Sequence, residues 1–116
     1  MPNGPANVAE YGTVKDSVES RALYKMDAFH HIKNGVEYPA VISIGGMHDP
    51  RVMPWQPAKF AAKLQYATAS DKPVFLCIKY NSGHFTQDES VTVKHNANIF
   101  SFALWQTGHP GFQVKK

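Results

Sequence analysis

The stretch PVFLCIKY, residues 73–80, is an apolar run without the polar alternation of a half-exposed strand. Runs of this kind form strands that are covered on both faces, usually in parallel sheets. A second run, YPAVISI at 38–44, is rich in β-branched residues, ends at a pair of glycines and predicts another buried strand. Together the two stretches predict an α/β fold with parallel strands.

Helical patterns precede, separate and follow the two predicted strands. Asp16 or Ser17 suits the N-cap of a first helix, and Pro57 suits the first position of a second helix that ends near Ala67. A third helix is predicted over residues 90–105. Its apolar stripe is formed by Val93, Ala97, Phe100 and Leu104.

The order helix–strand–helix–strand–helix is typical of an open parallel sheet with flanking helices. Two strands are few for such a sheet, since sheets usually have about 4–6 strands and an isolated pair is marginal in water. The 116 residues are therefore expected to be part of a domain whose remaining strands come from a partner or from a longer chain. The first dozen residues, MPNGPANVAEYG, predict an irregular lead-in.

Composition argues against several classes of protein. The 12 Lys and Arg residues against 9 Asp and Glu give a net charge of +3 without a basic run, so nothing favours nucleic-acid binding. No apolar stretch approaches the roughly 20 residues that a membrane span requires. A single cysteine rules out an internal disulfide and a multi-cysteine zinc site. The histidines show no metal-ligand spacing, so neither a metal nor a cofactor is expected.

An aspartate and a histidine follow the two predicted strands. Asp49 lies in GGMHDPRV (45–52) after the first strand, and His84 lies in NSGHF (81–85) after the second. Because the carboxyl ends of parallel strands meet at one edge of a sheet, we expect these side chains to lie close together. An acid that precedes a histidine is the order found in α/β-hydrolase triads. On the residues alone, a turn aspartate and an ordinary loop histidine remain the alternative.

Three stretches carry a family resemblance: NGVEYPAVISIGGMHDPRVMPWQPAKFAAKL at 34–64, SGH at 82–84 and NIFSFALW at 98–105. They resemble the C-terminal part of the catalytic domain of the prolyl oligopeptidase family of serine peptidases, peptidase family S9. The lead-in NGPANVAEYGTVK, 3–15, resembles the preceding segment of bacterial members. The resemblance covers nearly the whole chain. It implies a partial α/β-hydrolase fold, with two C-terminal parallel strands and flanking helices, over residues 1–116.

The resemblance also implies roles for individual residues. Asp49 matches the catalytic aspartate of the family and His84 its catalytic histidine. Arg51 matches an arginine that hydrogen-bonds a backbone carbonyl of the bound peptide. Trp55 is a further candidate for the lining of the substrate cleft. From the residues alone, Arg51 is also suited to an ion pair and Trp55 to packing.

The nucleophile of the family lies on a Gly-x-Ser-x-Gly-Gly elbow, and this motif does not occur in the sequence. None of the serines has the flanking glycines that the sharp strand-to-helix turn requires. The chain is therefore expected to carry the aspartate and the histidine of the triad without the serine. Alone, it is expected to be inactive.

Three functions remain open. The first is a C-terminal piece of a prolyl-oligopeptidase-type serine peptidase, which hydrolyses short peptides after proline. The second is an enzyme completed by another chain that supplies the nucleophile. The third is a non-catalytic, oligomerising interaction module that retains this part of the fold. The incomplete sheet favours either a homo-oligomer or a missing N-terminal half, and the compartment stays open between bacterial cytoplasm and periplasm.

Overall fold

The computed structural model describes residues 4–85 and 88–114, which form two β-strands and five α-helices. In chain order these are α1 (Val8–Tyr11), α2 (Ser17–Met26), α3 (Ala28–His31), β1 (Val41–Gly46), α4 (Trp55–Ala67), β2 (Val74–Lys79) and α5 (Glu89–Gln106). The predicted alternation is present, with the short helices α1 and α3 added. None of the helices in this part of the chain is long and apolar enough to cross a bilayer.

β1 and β2 form a two-stranded parallel sheet, as the sequence predicts. Val41 lies opposite Val74 and Gly46 lies opposite Lys79, so the register runs through the whole of both strands. The connection between the strands contains α4, which is the crossover that a parallel pair requires. Two parallel strands with flanking helices confirm the predicted fold class.

β1 begins and ends later than the apolar run that predicted it. Residues 38–40 would lie opposite the turn that precedes β2, so they have no strand to pair with. The Tyr38 N–H donates instead to Thr68 Oγ1 at 3.4 Å. At the other end the ladder continues through both glycines, since the Met47 N–H donates to the Lys79 carbonyl at 2.9 Å.

α4 packs on one face of the sheet and supplies most of the core. The buried apolar residues are Ile32, Ala61, Leu64, Ala67 and Val74. The helix begins at Trp55, two residues before the predicted start, and so places Pro57 within its first turn. A proline is tolerated there because the N–H groups of the first turn have no intrahelical acceptor.

α5 contacts the opposite face of the sheet through the aromatic ring of Phe75 in β2. The ring of Phe75 in β2 has its centroid 5.7 Å from that of Phe102 and 6.1 Å from that of Trp105. The predicted stripe does not form this contact, because Val93 and Phe100 are 62% and 64% exposed. The C-terminal half of α5 is apolar on several sides, so periodicity could not select the face that meets the sheet.

The N-terminal lead-in is more regular than predicted. Pro5–Asn7 forms a 3-10 turn that continues into α1. Gly12 ends α1 with a φ of 83° and donates its N–H to the Val8 carbonyl at 2.8 Å. Residues 1–3 of the predicted lead-in lie outside the described residues. As predicted, Asp16 caps α2, and its side chain accepts hydrogen bonds from two backbone N–H groups of the first turn.

Candidate active site

The loops that follow β1 and β2 pack directly on each other at the carboxyl edge of the sheet. The His48 N–H donates to the Ser82 carbonyl at 3.1 Å. Gly46 has no space for a side chain, since a Cβ atom there would meet the Gly83 carbonyl oxygen and lie 2.7 Å from that of Ser82. A glycine at this position therefore allows the second loop to approach the first.

Asp49 and His84 form a hydrogen-bonded pair where the two loops meet. Asp49 Oδ2 lies 2.8 Å from His84 Nδ1. Asp49 Oδ1 accepts hydrogen bonds from the backbone N–H groups of Arg51 at 2.8 Å and Val52 at 2.9 Å. Asp49 is 7% exposed, whereas the His84 side chain is 32% exposed. The expected proximity of the two side chains is confirmed.

The surroundings of Asp49 favour its ionised form. Burial alone would raise the pKa of its carboxyl group, but hydrogen bonds from the Val52 N–H, the His84 ring and the Arg51 N–H outweigh it. The pKa of Asp49 is therefore lower than its ordinary value of 3.8. Because an ionised carboxylate only accepts hydrogen bonds, the proton between the two side chains belongs to His84 Nδ1. In the neutral ring, Nε2 is then free to accept a proton.

Of the other two predicted site residues, one adjoins the pair and the other lies farther along the chain. Arg51 contributes its backbone N–H to Asp49, and its side chain is exposed. Trp55 is the first residue of α4 and is 49% exposed, with Lys59 Nζ 5.2 Å from its ring centroid. It lines a cavity of about 380 Å³ with residues of α3, and neither Asp49 nor His84 lines that cavity.

Sequence reasoning missed Phe85, which lies beside the pair. Its ring meets the His84 imidazole edge-on, with ring centroids 4.6 Å apart and an angle of 81° between the ring planes. The Phe85 side chain is nonetheless 74% exposed. A signal was present in the sequence, because Phe85 is the one large apolar residue in the polar stretch NSGHFTQDES, 81–90.

The chemistry available at this edge is that of an acid and a base at hydrogen-bond distance. Across residues 4–85 and 88–114, no three histidine, cysteine, aspartate or glutamate side chains are grouped so as to hold a metal ion. The Cys77 thiol is free and partly buried in β2. A buried carboxylate that orients an accessible imidazole is suited to moving a proton to and from a reacting group.

Curated proteins similar to this chain include prolyl endopeptidases. A family model described as the prolyl oligopeptidase family matches residues 4–110. A prolyl endopeptidase of Elizabethkingia miricola is 38% identical over 101 residues, which cover 85% of this chain and 14% of the relative. A prolyl endopeptidase of Elizabethkingia meningoseptica is 35% identical over the same shares of both chains. The chain thus spans about one seventh of the length of these relatives.

Solved structures of related peptidases contain the same arrangement of strands and helices. A chain from a structural and mechanistic analysis of two prolyl endopeptidases has a TM-score of 0.78 and 28% identity, over 89% of this chain and 15% of its own length. Oligopeptidase B from Leishmania major has a TM-score of 0.85 and 26% identity, over 91% of this chain and 15% of its own length. These similarities confirm the expected partial α/β-hydrolase fold. Given the family match and relatives more than 30% identical across most of its length, the chain belongs to the prolyl oligopeptidase family.

Proposed function

We propose that these 116 residues are the C-terminal part of the catalytic domain of a serine peptidase that hydrolyses short peptides after proline. The observation that carries the proposal is the 2.8 Å contact between Asp49 Oδ2 and His84 Nδ1. It lies at the sheet edge where open α/β folds hold their functional groups. Membership of the family, and relatives described as prolyl endopeptidases, support the same function.

In this function Asp49 and His84 are the acid and the base of a serine triad. Asp49 holds the imidazole with Nδ1 protonated, and His84 Nε2 removes the proton of the serine hydroxyl as its oxygen attacks the scissile carbonyl. Asp49 stabilises the imidazolium ion, and His84 then gives the proton to the leaving amine. The lowered pKa of Asp49 suits this role, because the carboxylate then stays ionised throughout.

The serine nucleophile and the oxyanion-hole donors are proposed to lie outside these 116 residues. The sequence contains no Gly-x-Ser-x-Gly-Gly motif, and the chain spans 14% of the Elizabethkingia miricola relative. Ser82 lies two residues before His84, but it is only 5% exposed and so is not accessible to a substrate carbonyl. The chain alone is therefore expected to be inactive.

Arg51 and Trp55 are proposed to lie on the substrate side of the site. The Arg51 guanidinium is exposed two residues beyond Asp49 and is suited to donate hydrogen bonds to a backbone carbonyl of the peptide. Trp55 offers a half-exposed aromatic face to an apolar residue such as proline. The proposed substrates are accordingly short peptides that contain proline.

A chimeric enzyme tests this function. The chain replaces the matching segment of the Elizabethkingia miricola prolyl endopeptidase, and hydrolysis of a proline p-nitroanilide is measured. We expect turnover by the chimera, but neither turnover by the isolated chain nor its labelling by an organophosphonate serine probe. His84→Ala should remove the activity of the chimera. His109→Ala, at an exposed histidine near the C-terminus, is the matched control.

Two results would contradict the proposal. A folded chimera without turnover would mean that Asp49 and His84 do not serve a triad. That result would favour the oligomerising interaction module, for which exposed apolar side chains such as Phe75 and Phe100 supply a surface. Stoichiometric labelling of a serine in the isolated chain would contradict the placement of the nucleophile outside it.

A further inference from the structure

Phe85 is an exposed aromatic residue in contact with the proposed base, and the triad chemistry gives it no role. Its ring centroid lies 4.6 Å from that of the His84 imidazole, and 74% of the residue is exposed. The preceding residues of its loop pack on the loop that follows β1. The Ser82 carbonyl accepts a hydrogen bond from the His48 N–H, and the Ser82 and Gly83 carbonyls fill the space beside Gly46. A large apolar surface thus lies beside the imidazole.

The path of the proton in acyl transfer brings the leaving part of the substrate close to Phe85. Asp49 occupies His84 Nδ1, so the proton passes through Nε2 to the leaving amine. This transfer requires the amine nitrogen to lie within hydrogen-bond distance of Nε2. The substrate residue that carries the leaving amine must then lie next to the imidazole. The side chain of that residue is within reach of the Phe85 ring, because this ring contacts the same imidazole.

We propose that Phe85 is a specificity-determining residue that forms one wall of the subsite for the residue directly after the scissile bond. The subsite would select an apolar side chain there, because contact with Phe85 removes apolar surface of both groups from water. This inference rests on the proposed function, since the leaving amine lies beside His84 only if His84 is the general acid. The substrate class is then a peptide with proline before the scissile bond and an apolar residue after it.

The test compares two internally quenched peptides that differ only in the residue after proline, leucine in one and glycine in the other. The chimera with the Elizabethkingia miricola enzyme is expected to favour the leucine peptide in kcat/KM by about tenfold, the typical scale for a small apolar pocket. Phe85→Ala should reduce this ratio towards one, and Phe85→Leu should retain most of it. Tyr66→Ala removes an aromatic side chain that is 83% exposed on α4, and should leave the ratio unchanged.

Phe85→Gln keeps the length of the side chain while removing its apolar surface. If Phe85→Ala fails to fold, this variant should reduce the leucine-to-glycine ratio of kcat/KM in its place. An unchanged ratio in a folded Phe85→Ala or Phe85→Gln chimera would overturn the inference, as would equal cleavage of both peptides by the parent chimera. Either result leaves the proposed function intact, provided that His84→Ala still abolishes cleavage. A folded chimera that cleaves neither peptide contradicts the proposed function and, with it, this inference.

Discussion

Asp49 combines burial with hydrogen bonds at both of its oxygens. Oδ1 is held by two N–H groups of its own loop and Oδ2 by His84, so the carboxylate has little freedom to rotate. Bonds from the second and third residues after an aspartate form a local turn that needs no other part of the protein. The loop therefore fixes the direction of Oδ2, and this direction determines which nitrogen of His84 carries the proton.

Removing the charge of Asp49 while keeping its shape should reduce catalysis. In the chimeric enzyme, we expect Asp49→Asn to lower kcat roughly 10⁴-fold, because the amide no longer selects the His84 tautomer with Nδ1 protonated. The matched control is Asp71→Asn, at an exposed aspartate in the turn before β2. Turnover of proline p-nitroanilide measures both variants. An Asp49→Asn enzyme with more than a tenth of the parental kcat would contradict the triad role.

The lowered pKa of Asp49 predicts how the pair responds to acid. In a ¹³C NMR titration of the isolated chain, the carboxyl midpoint of Asp49 should lie below 3.8, and His84→Ala should move it upward by removing one hydrogen bond. Because the folded state lowers this pKa, Asp49 stabilises the fold above its unfolded pKa. The contribution is lost as the pH falls through the folded pKa. A midpoint at or above 3.8 would contradict the hydrogen-bonding scheme.

At the scale of residues, the sequence predicts the pair of Asp49 and His84 better than its surroundings. Parallel strands direct their carboxyl ends to one edge, so two residues that follow such strands meet whatever the loop details are. The contact of Phe85 with His84 depends instead on the path of one loop. Local sequence patterns do not determine that path.

At the scale of elements, the site depends on the close approach of the two loops after β1 and β2. Gly46 is the last residue of β1, and the carbonyl groups of Ser82 and Gly83 occupy the space of its absent side chain. Backbone atoms cannot rotate away as a long side chain can. Any side chain at this position must therefore displace the loop that carries His84.

Gly46→Ala should separate the pair without altering either residue. We expect kcat/KM of the chimera to fall on the order of 100-fold, which is the cost of misplacing a catalytic group by about 1 Å. Gly83→Ala is the matched control, since a Cβ atom there would lie 3.4 Å from the His48 carbonyl oxygen, an ordinary contact, and its loss should be much smaller. Equal losses in the two variants would contradict the role given to Gly46.

The elements differ in how well the sequence predicts them. The existence of β1, β2 and α4, and their parallel arrangement, follow from two apolar runs separated by a helical pattern. The residue at which β1 starts does not follow from its apolar run, because strand pairing depends on where β2 begins rather than on the residues of β1 themselves. The sequence pattern also does not predict which face of α5 meets the sheet. Phe102 and Trp105 contact the sheet while Phe100 is exposed to solvent, although the helix is apolar on both sides.

At the scale of the whole molecule, the chain exposes more surface than a compact domain of its mass. A compact monomer of 12.9 kDa exposes about 6300 Å², whereas this chain exposes 8610 Å². Its radius of gyration is 17.1 Å, against about 13 Å for a compact domain of this length. The molecule is also flat, with extents of 54 × 39 × 18 Å. The core is correspondingly small for the number of apolar residues.

Part of the exposed surface is an unpaired sheet edge. The Val41 N–H donates to the Pro73 carbonyl and the Met47 N–H to the Lys79 carbonyl, so the odd-numbered residues of β1 face β2. Ile42 and the other even-numbered residues therefore direct their N–H groups to the outer edge, where no strand of the described residues pairs with them. Such an edge is a template for pairing with another chain.

This edge and the apolar face beside it predict that the isolated chain self-associates. At about 25 cal/mol per Å², covering even 400 Å² of apolar surface contributes roughly 10 kcal/mol, which is comparable with the stability of a whole domain. A homodimer or higher oligomer should therefore form, by edge pairing or by exchange of a terminal element. Sedimentation equilibrium at low micromolar concentration measures it.

The substitution Ile44→Pro measures how far self-association depends on the unpaired outer edge of β1. Because the Ile44 N–H points away from β2, a proline there removes an edge donor while leaving the β1–β2 ladder in place, and it should weaken the association. Ile44→Val keeps the donor and is the matched control. A stable species of 12.9 kDa that unfolds cooperatively would contradict the prediction, because the described elements would then close their own core. If the oligomer forms but Ile44→Pro leaves it unchanged, the apolar face rather than the strand edge drives the association.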